Sequence, residues 1–350
     1  MGEPSERPAV KARVDRVAVV VNGNAKQVTD ELVQILDQIV QSGDLFVSRS
    51  LEEGREIANL IVERGYPTVL TGGGDGTFVQ MVTWVTDEAT KRNKPWPRFG
   101  FLRLGTGNAL AWVLGAQNSK GKGVVADLAR LRQEGGSREL RLLNVEGTLT
   151  PFAGLGIDSI ALEHYNQTKE FMTRTPVLRK LATGSVTYAT SILTRSLPNF
   201  LFRPHPHVRI VNESDGALRM GVDDLPVGSP IKAGEVLYEG PSRMVAMSTI
   251  PYWGFGARIF PYASEREDRF SLRVVDINSF QVAKNFRKIF KGTYRSDTLH
   301  DFLVDSVSIH YREPMPLQIG GDLAGMRTTV RVELGKKPIQ VVDYFAPPPV

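Results

Sequence analysis

The sequence predicts a parallel α/β unit followed by a mainly antiparallel β unit. Three observations carry this expectation. Up to about residue 140, β-branched runs alternate with stretches of helical apolar spacing, the grammar of βαβ units. Beyond that point, short alternating runs are separated by Gly, Pro, Asn and Asp clusters, as in antiparallel sheets. Two of the early strands also run directly into glycine- and threonine-rich turns. A chain of 350 residues is long enough for two domains.

Residues 1–13 are polar and proline-interrupted, and read as a disordered lead-in. Residues 14–21 are nearly continuous in β-branched side chains, the pattern of a strand buried on both faces, and end in Asn22-Gly23-Asn24. Leu32, Ile35, Leu36, Ile39 and Val40 follow at helical spacing, and Phe46-Val47 gives a second strand. Ile57, Leu60 and Ile61 mark a second helix, and Thr68-Val69-Leu70 a third strand. A helix over 78–88 and a strand over 99–102 repeat the pattern once more. After a boundary near 140–150, helical spacing persists around 178–201, while 208–211, 243–247, 272–275 and 304–309 read as strands. The domains are therefore expected at 14–145 and 146–330.

Composition narrows the function classes. There is no cysteine, which excludes disulfides, thiolate metal sites and cysteine nucleophiles, and fits a reducing compartment. The N-terminus has no apolar h-region, and the uncharged stretch at 181–194 is shorter than the roughly 20 residues that cross a bilayer. A cytoplasmic location is expected. The net charge is +5, and residues 163–209 hold seven Lys/Arg against Glu163 and Glu170, an excess equal to that of the whole chain. Such a cluster suits an anionic partner (nucleic acid, phosphorylated substrate or anionic lipid), or else a solvated face. Residues 185–202 are apolar, aromatic and flanked by arginines: either a helix covering one end of the β unit, or a lipid entrance touching a membrane.

The chemistry concentrates at Gly72-Gly73-Gly74-Asp75-Gly76-Thr77, between a strand and an apolar-periodic helix. Glycines there permit positive φ and let the backbone approach a ligand, while N–H groups at a helix start favour phosphate oxygens. Asp75 inside an anion cradle makes sense at a metal ion or as a proton acceptor; the alternative is a tight turn with Asp75 as N-cap. Gly105-Thr106-Gly107-Asn108 again follows a strand and opens a helix, and two such turns at successive strand ends converge where open α/β sheets bind ligands. Neither a G-x-x-x-x-G-K-[ST] loop nor a G-x-G-x-x-G fingerprint is present, which disfavours P-loop enzymes and dehydrogenases.

These turns, with Asn22-Gly23 after the first strand, resemble the diacylglycerol kinase-type lipid kinases, relatives of the sphingosine and ceramide kinases and, more distantly, of the NAD kinases and phosphofructokinases. Gly105-Thr106-Gly107-Asn108-Ala109-Leu110-Ala111 is most similar to the sphingosine kinase form. The resemblance implies a Rossmann-like, phosphofructokinase-like α/β domain, a C-terminal antiparallel β-sandwich domain, and a segment at 331–350 returning to the first domain. It implies ATP and Mg2+ as cofactors and phosphoryl transfer to a lipid hydroxyl of the diacylglycerol or sphingoid-base type. It places Gly72, Gly73, Gly74, Asp75, Gly76, Thr77, Gly105, Thr106, Gly107 and Asn108 at the phosphates, with Asn22 and Ser48 toward the nucleoside. Asp158 is matched to the lipid side, Asp268 to a structural magnesium, and Asp75 and Asp322 to the acid/base duty.

The departures are specific. Val79 and Gln80 stand where the family has Asn-Glu, Arg269 replaces a glycine beside Asp268, and the family's late Asp-Gly-Glu reads Gly320-Gly321-Asp322. The rivals are a catalytically silent nucleotide- or lipid-binding homologue and an NAD kinase. The partners expected are a lipid substrate and an anionic membrane surface, through peripheral association; no nucleic acid is expected, and a homodimer is left open. His205-Pro206-His207 offers strand-like spacing without a third ligand, and Ser185, Ser191 and Ser196 lie in no hydrolase elbow. Trp84, Trp96 and Trp112 read as core or rim aromatics.

Overall fold

The computed structural model describes residues 16–25, 27–40, 44–105, 107–117, 123–124, 126–128, 136–156, 159 and 205–345. The lead-in, Thr106, Asp158, the helical stretch at 178–201 and all but Arg209 of the basic residues in the 163–209 cluster lie outside the described residues. The chain divides into two compact units, one holding residues up to Gly105, Leu114–Leu140 and Ile339 onward, the other Thr106–Val113 and Arg141–Pro338.

The first unit runs β1 (Val17–Asn22), α1 (Asp30–Ile39), β2 (Leu45–Ser48), α2 (Leu51–Arg64), β3 (Thr68–Gly73), α3 (Asp75–Lys91) and β4 (Arg98–Arg103), joined by β5 (Gly136–Leu140) and a late strand, β18 (Ile339–Asp343). The sheet order is β2-β1-β3-β4-β18-β5; only β5 runs antiparallel to its neighbour. Ala18, Val19, Val20, Val21, Val69, Leu70, Phe99 and Phe101 are all buried. That is why these strands read as continuous apolar runs: a parallel sheet is covered on both faces. Phe78 of α3 meets Phe99 and Phe101 edge-on at 6.4 and 6.2 Å. Helices α1 and α2 start at side-chain caps, Thr29 accepting from Leu32 N at 3.2 Å and Ser50 from Glu53 N at 3.1 Å.

The second unit is one antiparallel network of twelve strands: β6 (Leu143–Val145), β7 (Thr148–Thr150), β8 (Phe152–Gly156), β9 (His207–Asn212), β10 (Ala217–Met220), β11 (Pro226–Ile231), β12 (Val236–Pro241), β13 (Met244–Ser248), β14 (Phe270–Val275), β15 (Leu299–Val304), β16 (Ser306–Ile319) and β17 (Asp322–Leu334). It also carries α4 (Ala109–Leu114) and α5 (Ser279–Phe290). The fourteen-residue β16 joins two arms: Val307 to Tyr311 pair with β9, and Leu317 to Ile319 pair with β8. The single strand expected over 304–309 is two. At Asp305 the chain changes partner, Val304 facing Phe270 and Ser306 facing Glu333.

Within this core, Arg273 and Asp301 face each other across β14 and β15 and form a bidentate pair at 2.7 and 2.8 Å, both side chains about 5% exposed. Removing one partner leaves the other charge buried and uncompensated. Asp301→Ala is therefore expected to lower the urea midpoint of this unit by the equivalent of about 3–5 kcal/mol, whereas an exposed-pair variant, Asp87→Ala, should cost below about 1 kcal/mol. Equal midpoints for the two variants would contradict this.

Candidate active site

The first glycine turn is tighter than its sequence suggests. Gly72 and Gly73 belong to β3 and Asp75 already to α3, so Gly74 alone makes the turn. None of Gly72, Gly73, Gly74 or Gly76 has positive φ, which corrects the expectation that these glycines relieve backbone strain. Their use is close approach. A Cβ on Gly73 would stand 2.4 Å from Thr77 Oγ1, so α3 can start flush against the strand only without one. Gly74 is the N-cap and has no side chain to occupy the N–H groups of the first turn. Asp75 is buried in that turn.

Three strand ends meet here. Asn22, closing β1, donates from Nδ2 to Thr77 Oγ1 at 3.2 Å, and its Oδ1 accepts from Asn24 N at 2.9 Å. Gly105 lies beside Gly74, a Cβ on which would be 3.7 Å from Gly105 Cα, and Gln27 Nε2 donates to Gly105 O at 3.1 Å. The sequence-predicted Asn22, Gly72, Gly73, Gly74, Asp75, Gly76, Thr77 and Gly105 thus come together within one unit.

Next to them opens a cleft of about 160 Å³ whose walls include Asn22, Ser48, Arg49, Thr77, Gln80 and Trp84. Ser48, which the resemblance places toward the nucleoside, is on the cleft wall. Arg49 belongs, with Ser48 and Ser50, to a segment similar to the one that lines the family's nucleotide pocket; Gln27 and Gln80 carry no such resemblance, and Trp84 reads from the sequence as a core or rim aromatic. Its place on the cleft wall depends on Gly54: a Cβ there would lie 2.7 Å from the indole ring, and the Arg55 guanidinium stands 5.5 Å from the ring centroid. The i,i+4 spacing of Gln80 and Trp84 after Asp75-Gly76-Thr77 was the available signal, since it puts both on one side of α3.

The remaining candidates belong to the second unit. Gly107 O accepts from Phe255 N at 2.9 Å, Asn108 is buried with φ 48°, and Trp112 of α4 stacks on Tyr252 with centroids 6.2 Å apart. Gly320 (φ 59°) and Gly321 (φ 90°) form the two-residue hairpin turn from β16 to β17, with Ile319 opposite Asp322. Positive φ at both positions is the type I′ turn, which also accepts Asp-Gly. The acid missing at residue 320 is therefore not demanded by the turn. Gln318, almost fully buried, accepts from Gly321 N at 2.8 Å, while its Nε2 has no hydrogen-bond partner. Asp322 is exposed as a residue, yet desolvation of its carboxyl raises its pKa above the ordinary aspartate value.

The magnesium role that the resemblance implies for Asp268 does not fit this geometry. Both carboxylate oxygens are taken by Arg266 at 2.9 Å, which holds the pKa of Asp268 low, and Arg269 stands at 3.6 Å while reaching Asp305 at 3.4 Å. Among the described residues no three His, Cys, Asp or Glu side chains gather as a metal site. The residue that departs from the family pattern, Arg269, thus brings a cation of its own. His205 pairs with Asp276, which accounts for that histidine without a metal.

A parallel α/β unit with a glycine cradle at its strand ends, a large antiparallel unit, and a late strand returning to the first sheet make the fold of the diacylglycerol kinase-type proteins. A diacylglycerol kinase from Bacillus anthracis str. Sterne is similar with a TM-score of 0.61 at 15% identity, over 94% of this chain and 96% of that one. A provisionally assigned diacylglycerol kinase from the same organism gives 0.65 at 16%, over 95% and 99%. At such identities the likeness is one of fold. In sequence, residues 16–143 match the family model of the diacylglycerol kinase catalytic domain, which contains both glycine turns. Among curated proteins none matches the chain. Among the described residues no helix is long and apolar enough to cross a membrane.

If Arg266 and Arg269 stand in for a cation at Asp268, neither EDTA nor added Mg2+ should move the thermal unfolding of the protein measured without nucleotide, since a bound metal would stabilise by mass action. A melting temperature that rises with Mg2+ and is lost in Asp268→Asn would contradict this.

Proposed function

We propose that the protein is an ATP-dependent lipid kinase that transfers the γ-phosphoryl group to a lipid hydroxyl of the diacylglycerol or sphingoid-base type. The observation that carries the reading is the meeting of Asn22, Gly73, Gly74, Thr77 and Gly105 beside a cleft with amides, hydroxyls and an indole on its walls. Amides and hydroxyls suit a nucleoside, and the first turn of α3 suits its phosphates. The match of residues 16–143 supports a kinase; the acceptor is argued by family alone.

Phosphoryl transfer asks mainly for positioning and charge neutralisation. Thr77, fixed by Asn22, and the first-turn N–H groups of α3 orient the phosphates. Asp75 is the carboxylate of the cradle and fits the one or two acidic ligands that a nucleotide-borne magnesium takes. Magnesium, when bound, neutralises phosphate charge. In the transfer, the acceptor oxygen forms its bond to phosphorus as the bond to ADP breaks, and the hydroxyl proton passes to a carboxylate, for which Asp75 and Asp322 are the two candidates. A second reading, a nucleotide- or lipid-binding homologue without turnover, is favoured by one observation: Gly320 supplies no acid.

The deciding assay is thin-layer analysis of labelled products from diacylglycerol, sphingosine, ceramide and acylglycerols. Phosphorylation of one of them is expected; ATP binding with no labelled lipid would favour the silent reading. Asp75→Asn should cut turnover by about 10²–10⁴-fold, while the melting temperature changes little because the helix start is kept. Wild-type turnover in that variant would remove Asp75 from the chemistry. Because the base must be deprotonated and desolvation raises the pKa of Asp322, activity should fall on acidification at a higher pH than an ordinary aspartate would give. Asp322→Asn should remove that acid limb with its activity, and Gly320→Asp, allowed by the turn, should raise turnover. An unchanged pH profile in Asp322→Asn would exclude it as the base.

A further inference from the structure

The helix α5 has little to hold it against the protein. None of its described side chains is buried, and Phe280, Phe286 and Phe290 are 77%, 59% and 37% exposed. A twelve-residue helix is marginal in isolation; this one is set by its capping box, Asn278 accepting from Gln281 N at 2.9 Å and Gln281 Oε1 from Asn278 N at 3.3 Å. Single exposed aromatics are ordinary on protein surfaces, but three on one helix, two of them in ring contact at 6.0 Å, are not. At 3.6 residues per turn the three rings span an arc of about 120° and Lys284, Arg287 and Lys288 one of about 100°, the two arcs overlapping by about 20° where Arg287 stands beside Phe280. From Ile277 to Ser296 the chain has five Lys/Arg and no Asp or Glu.

We propose that α5 is a membrane-docking helix whose aromatic flank enters the interface of an anionic bilayer while its basic flank meets the lipid phosphates. Aromatic and basic flanks side by side are what an interfacial helix needs. The charge selects the occupant. A second copy laid on the same face would bring like charges together, whereas a surface of lipid phosphates neutralises them. A neighbouring element also exposes apolar side chains, though it carries Asp223 and Asp224: Val222, Leu225 and Val227, in and beside the loop from β10 to β11, are 59%, 60% and 54% exposed. Arg295, which follows α5, pairs with Asp224 of that loop at 2.5 Å, so the loop is tied to the segment leaving the helix. The surface stands on these observations whether or not the protein phosphorylates a lipid, and it differs from the 163–209 cluster read from the sequence.

The test is cosedimentation of the full chain with vesicles of phosphatidylcholine alone or mixed with phosphatidylglycerol, over a range of salt. Wild-type protein should bind the anionic vesicles and be released by salt. Lys284→Glu with Lys288→Glu should weaken partitioning at least about tenfold, and Phe280→Ser with Phe286→Ser should also release the protein, both with wild-type melting temperatures. No binding of wild type to anionic vesicles would overturn the proposal. So would undiminished binding of both variants, which would move docking elsewhere on the chain. A wild-type dimer in sedimentation that Phe286→Ser dissociates without loss of vesicle binding would make α5 a contact between copies instead.

Discussion

The rest of the candidate site depends on the contact between Gly73 and Thr77. A strand that ends in two residues without side chains lets a helix begin one residue later, with Thr77 pressed against the strand it has just left. That approach puts Thr77 Oγ1 within reach of Asn22 on the neighbouring strand, and it brings Gly74 beside Gly105 on the other side. A glycine cap costs a helix start only a few tenths of a kcal/mol, and it leaves the first-turn N–H groups without a side-chain acceptor at the N-cap. The arrangement makes sense where a ligand's oxygens take the place of the cap.

In the second unit, the hairpin between β16 and β17 plays the comparable part. Its two left-handed glycines set the register that places Asp322 opposite Ile319, and Gln318 buttresses the turn from below. Gln318 keeps a buried N–H without a partner, which costs about 1–3 kcal/mol and is the kind of expense that proteins retain near functional groups. The same turn would accept an acid at residue 320, so its absence is not imposed by the geometry of the turn.

Much of this was legible in the sequence. The apolar runs became β1, β3 and β4 because a sheet covered on both faces leaves no room for alternation, and both glycine turns lie within residues 16–143, which match the family model. What could not be read were the consequences of packing. Gly72 and Gly73 looked like turn residues, and only their pairing with Val21, Leu102 and Arg103 shows that they are strand residues. Trp84 reads as a core or rim aromatic, and only the missing Cβ of Gly54 shows that it stands on a cleft wall. Asp268 matched a metal position by motif, but Arg266, two residues earlier, closes on both its oxygens. The helix α5 turns its three phenylalanines outward, where they belong to no core that a hydrophobic pattern could announce.

The central claim, that the Gly73–Thr77 junction cradles nucleotide phosphate, is tested most directly by calorimetric titration of ATP into the wild-type chain and into Gly73→Ala, with melting temperatures recorded alongside. Wild type should bind, and the added methyl, which cannot coexist with the present position of Thr77, should abolish binding while the protein remains folded. Failure of the folded wild type to bind ATP, or equal affinity in Gly73→Ala, would contradict the account.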